Sequence, residues 1–72
     1  MGSKYPVLKP RKVITTLEKV GFTYKSQRGS HVKYERNGQS VIIPMHNEIA
    51  KGTLKSILIQ AEIELDDFLR LL

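Results

Sequence analysis

Between Pro10 and Val20, the apolar residues Val13, Ile14, Leu17 and Val20 recur at i, i+1, i+4 and i+7. That period lines up one face of a helix and leaves Arg11, Lys12 and Lys19 on the wet side. Pro10 suits the first helical turn, and Gly21 suits the left-handed residue just beyond the end. From Phe22 the pattern changes to strands, expected over 22–27, 31–36 and 40–43, with a turn at Arg28-Gly29-Ser30. Asn37-Gly38 is the signature of a two-residue type I′ hairpin. It sets Arg36 opposite Gln39, Tyr34 opposite Val41 and Val32 opposite Ile43, which puts four apolar or aromatic side chains on one face. The same register sends His31, Lys33 and Glu35 to the other, wetter face, together with Ile42. Pro44 ends the third strand, and Met45 to Lys51 reads as a loop.

Helical spacing returns at Leu54, Ile57, Leu58 and Ala61, with Thr53 placed to cap the helix. A last short helix is expected over 64–72, with Asp66 and Asp67 in its first turn and Leu65, Phe68, Leu69 and Leu72 on its buried side. The order is helix, three antiparallel strands, helix and helical tail. The fold class is therefore α+β: an α-β-β-β-α two-layer sandwich with a short C-terminal helix, the layout of the double-stranded RNA-binding domain. Residues 1–72 form a single domain in this reading, with 1–8 loosely ordered.

Length changes the picture first. A chain of 72 residues buries only about 60% of the surface that its unfolded form exposes, so one core takes most of the apolar residues and a deep enclosed pocket is not expected. There are no cysteines, which excludes disulfides and thiolate metal ligands. Two histidines alone make no zinc site, although a carboxylate could in principle join them; no metal or cofactor is expected. No apolar run approaches the roughly 18 residues of a membrane helix, and no secretory signal is visible. Met1-Gly2-Ser3 resembles a lipidation start, but Pro6 stands where Ser or Thr is required. The expected setting is the cytoplasm, with no membrane partner.

Charge changes it next. The net charge is +5, divided as +7 over residues 1–36 and −2 over 37–72. A basic half with an acidic tail fits an anionic macromolecular partner met by the N-terminal half; solubility alone is the plainer explanation.

Within that basic half, His31 follows the Gly29-Ser30 turn, with Lys25, Arg28, Lys33 and Arg36 around it in sequence. Imidazole both takes and gives a proton near neutral pH. Among phosphate-binding cations it suits ribonuclease chemistry: a neutral His31 removes the ribose 2′-hydroxyl proton, and the oxygen attacks the adjacent phosphorus. Arg28 and Lys33 are candidates for stabilising the phosphorane charge, and either Ser30 or a water could protonate the leaving group. The plainer reading of His31 is a surface histidine at a strand edge. His46 is a second acid/base group, an RNA contact, or a loop histidine bonded to backbone. Lys51-Gly52-Thr53-Leu54-Lys55 is a helix start beside two lysines, either a further phosphate contact or an ordinary cap. Tyr5 and Tyr24 are the aromatics left open for stacking on bases, since Phe22 and Tyr34 belong to the core.

Gly21-Phe22, Arg28-Gly29-Ser30-His31, Ile43-Pro44-Met45-His46 and Gly52-Thr53-Leu54-Lys55-Ser56-Ile57-Leu58 stand in an order and spacing that resemble the HicA toxins, small messenger-RNA interferases of bacterial and archaeal toxin–antitoxin pairs. The resemblance runs from about Lys9 to Leu72. It implies a double-stranded-RNA-binding-domain-like fold, His31 as the catalytic group, mRNA as substrate, translation arrest, and a HicB-type antitoxin covering the active face. The chain departs from the family at Glu64, where a Ser or Thr cap is common. Taken together, the expected function is a metal-independent endoribonuclease toxin. His31 is its catalytic residue, and Arg28, Gly29, Ser30, Lys33, Lys51 and Lys55 contact RNA. The alternatives are a non-catalytic double-stranded RNA-binding module and an accessory protein docking through the sheet face that carries Ile42.

Overall fold

The computed structural model describes residues 5–72. The Met1-Gly2-Ser3 start, and the lipidation question attached to it, lie outside the described residues. The elements are α1 (Pro10–Lys19), β1 (Thr23–Arg28), β2 (His31–Arg36), β3 (Gln39–Pro44), α2 (Lys51–Ala61) and α3 (Leu65–Leu71). The strands form one antiparallel sheet in the order β1-β2-β3, so the expected α+β sandwich is the fold.

α1 ends in a Schellman motif. Gly21 sits at φ +98, its N–H donates to the Glu18 carbonyl, and the Phe22 N–H donates to the Leu17 carbonyl. Phe22 is therefore the exit residue of the helix rather than the start of β1, and its ring is buried with Leu17. The turn at Asn37 (φ 48) and Gly38 (φ 83) has both residues left-handed, as a type I′ hairpin requires. The β2–β3 register is the expected one, with Tyr34 opposite Val41 and Val32 opposite Ile43. Those four side chains meet Val13, Ile14, Leu17, Leu54, Ile57, Leu58, Ala61 and Phe68 in a single core. Val20, expected in the α1 stripe, is half-buried at its margin.

α2 begins earlier than expected. Its N-cap is Ala50, with no side-chain bond, and Thr53 lies inside the first turn rather than at the cap. A tertiary contact sets the start instead. Leu8 and Ile49 pair as an isolated antiparallel bridge and exchange backbone hydrogen bonds, and the buried Ile49 delivers the chain into the helix. Leu8 belongs to the segment expected to be loosely ordered. In α3, Phe68 is fully buried, while Leu65, Leu69 and Leu72 are half-buried.

The helices cover the sheet unevenly. α2 packs chiefly on β3, while β1 packs chiefly on β2 and all six of its residues are exposed. Arg36, grouped by sequence with the cations around His31, lies on the helix side. Its guanidinium stacks over the Phe22 ring at 4.6 Å. It also donates to the Val20 carbonyl at 2.8 Å and the Ala61 carbonyl at 3.4 Å, so one cation serves the C-terminal ends of α1 and α2. Arg36 is a clamp of the fold.

Tyr34 is buried, and its hydroxyl donates to Glu18 Oε2 at 3.5 Å. Burial pushes the phenol above its ordinary pKa, and the Glu18 carboxylate pushes it the same way. A raised pKa means that the folded state holds the proton more tightly. This contribution is whole below the unfolded value of about 10 and is lost as pH rises through the higher folded value. Chemical denaturation from pH 8 to 12 is expected to show an alkaline loss of stability that Tyr34→Phe reduces. Equal slopes for the two proteins above pH 10 would contradict this account of the phenol.

Candidate active site

His31 opens β2 directly after the two-residue Gly29-Ser30 turn, paired with Arg28 on one side and Pro44 on the other. Gly29 has φ +58, and an added Cβ there would meet no atom within 4 Å. The backbone conformation favours glycine, and open space lies above it. Strand alternation from the buried Val32 and Tyr34 turns His31, Lys33 and Glu35 away from the helices. His31 is exposed and Lys33 half-buried, so the expected wet-face position is the observed one.

A β-bulge in β1 completes the face. The pairing moves from Tyr24 opposite Tyr34 to Ser26 opposite Lys33, leaving Lys25 as the extra residue. After this shift Ser26 and Arg28 share the open face with His31 and Lys33. These four and Ile42 line a groove of about 440 Å³. Ser26 was not identified from sequence; the only signal was a small polar residue in a mostly polar strand. Ile42, expected on the wet face, supplies an apolar side chain there and is 39% exposed.

The groove carries positive charge. Arg28 and Lys33 have no carboxylate partner among the described residues, whereas Lys25 stands 3.8 Å from Glu35 Oε1. His46 approaches from the loop after β3, its ring edge-to-face with that of His31 and the centroids 6.0 Å apart. The Met45 N–H donates to the Ser30 carbonyl at 2.6 Å, which ties that loop to the turn before His31. Among the described residues neither imidazole has a hydrogen-bond partner.

The α2 lysines are not part of this grouping. Lys51 is the first residue of α2 and is exposed, and Lys55 lines a second cavity of about 340 Å³ with Tyr5, Leu58, Ile59 and Ile63. Phe22 and Tyr34 are buried as expected. Tyr24 is exposed and sits edge-on to Tyr34, on the helix side of the sheet and off the groove. Among the described residues no three His, Asp or Glu side chains gather as metal ligands would, and no helix is long and apolar enough to cross a membrane.

The family model described as HicA toxin of bacterial toxin–antitoxin matches residues 10–63, most of the chain and every residue lining the groove. Among curated proteins, none matches.

Proposed function

Starting from a chain that belongs to the HicA toxin family of bacterial toxin–antitoxin pairs, we propose that it is a metal-independent endoribonuclease acting on mRNA through His31. The observation that carries this reading is an exposed imidazole sharing one open groove with Arg28 and Lys33, cations without a carboxylate partner among the described residues. In the proposed reaction the 2′-hydroxyl proton passes to His31, and the 2′-oxygen forms a bond to phosphorus. The bond to the 5′-oxygen breaks and that oxygen takes a proton from a neighbouring acid or from water, leaving a cyclic phosphate and a free 5′-hydroxyl. Arg28 and Lys33 face the charge that grows on the phosphorane oxygens, where preorganised cations act most strongly. Gly29 leaves the backbone open to the phosphate, and Ser30 shapes the same turn. Lys51 and Lys55, away from the groove, serve a longer RNA path in this reading.

Family membership brings an antitoxin partner into the proposal. A HicB-type protein covering the open sheet face would hide His31, and Ile42 gives that face an apolar contact to bury. The cytoplasm, where mRNA is met, is the proposed setting.

A single 2′-deoxyribose at the scissile position tests the reaction. The substituted oligonucleotide is expected to survive at that linkage while the all-ribose control is cut in excess EDTA. Cleavage of both, or loss of cleavage in EDTA, would overturn the mechanism. Failure to cut any RNA, with binding that weakens steeply as salt rises, would favour the non-catalytic RNA-binding module.

A further inference from the structure

Attack by the 2′-oxygen needs a second proton transfer, because the departing 5′-oxygen is a strongly basic alkoxide until it gains a proton. We propose that His46 is the second catalytic histidine and donates that proton. This inference rests on His31 acting as the base.

An in-line displacement puts the entering and departing oxygens on opposite sides of phosphorus, so base and acid must flank one phosphodiester. Each imidazole must also reach its oxygen at about 3 Å. Ring centroids 6.0 Å apart, one ring edge-on to the other, set His31 and His46 on that scale.

A catalytic group must be held, and an ordinary loop histidine is not. Here the residue before His46 is bonded through its N–H to the Ser30 carbonyl, and the half-buried Met45 side chain packs against the core. Three residues after His46, Ile49 is buried and bridged to Leu8. The exposed imidazole therefore rises from a short segment fixed on both sides.

A histidine kept to stabilise a loop would spend its ring nitrogens on backbone atoms. Among the described residues His46 makes no such bond, so both nitrogens are open to substrate. The hydroxyls of Ser26, in the groove, and Ser30, in the turn before His31, give up a proton far less readily than an imidazolium at neutral pH.

The protons balance across a turnover. His31 starts neutral and ends protonated, while His46 starts protonated and ends neutral. Exchange with water restores both.

Leaving-group dependence separates an acid from a residue that only binds or supports. The experiment compares His46→Gln and His31→Gln on an RNA oligonucleotide and on a ribonucleoside 3′-(4-nitrophenyl phosphate), whose phenolate departs without a proton. His46→Gln is expected to slow RNA cleavage by about 10²–10⁴-fold and aryl-ester cleavage by less than about fivefold. His31→Gln slows both. Equal losses on the two substrates with His46→Gln, or no loss on either, would overturn the assignment of the acid. Full activity of His31→Gln would instead overturn the reading on which it rests. Circular dichroism and melting of each variant keep a folding defect from passing as either result.

Discussion

His31→Ala is expected to lower RNA cleavage by about 10²–10⁴-fold, the usual worth of one positioned general acid or base. Growth arrest on expression should disappear with it. The fold should not suffer. The side chain is exposed, sits edge-to-face against the His46 ring and makes no hydrogen bond among the described residues, and such surface changes stay within about 0.5 kcal/mol. RNA binding is expected to persist, because Arg28 and Lys33 supply the charge that attracts phosphate and neither depends on the imidazole. An initial-rate assay beside a thermal melt separates the outcomes. Wild-type rates in a folded His31→Ala protein would remove the residue from the chemistry.

The largest effect on stability is expected at Arg36, outside the active face. Arg36→Met keeps the stem but loses the donors to Val20, Gln39 and Ala61 and the stacked charge over Phe22. Charged hydrogen bonds of this kind contribute about 1.5–3 kcal/mol each, and a cation over an aromatic face adds about 0.5–2. These terms overlap at one side chain, and a total loss of about 2–4 kcal/mol is expected. In a domain this small each kcal/mol shifts the melting temperature by about 4–8 °C, so the variant should melt at least 8 °C lower. Below its new melting point, cleavage should remain close to wild type, since Arg36 is turned away from the groove. An unchanged melting temperature would refute the clamp.

The sequence pattern carried most of the fold because its signals were local. The Asn37-Gly38 turn and the alternation through Val32, Tyr34, Val41 and Ile43 determine one register, and that register alone puts His31 and Lys33 on the open face. The same alternation puts Arg36 with Tyr34, on the helix side. Grouping Arg36 with the cations of the site followed nearness in sequence instead. The start of α2 was missed because Thr53 offers a cap that the chain does not use; the Leu8–Ile49 bridge, between distant residues, decides it. The bulge at Lys25 left no trace in a strand whose residues are all exposed, so Ser26 was overlooked. The approach of His46 to His31 depends on a backbone bond between Met45 and Ser30, which no periodicity reports.

The identity of the new ends on RNA cut in excess EDTA tests the central claim most directly. Mass spectrometry of the products should find a 2′,3′-cyclic phosphate on one fragment and a 5′-hydroxyl on the other. A 5′-phosphate with a 3′-hydroxyl would mean that water, not the ribose, attacks phosphorus, and would contradict the account of His31.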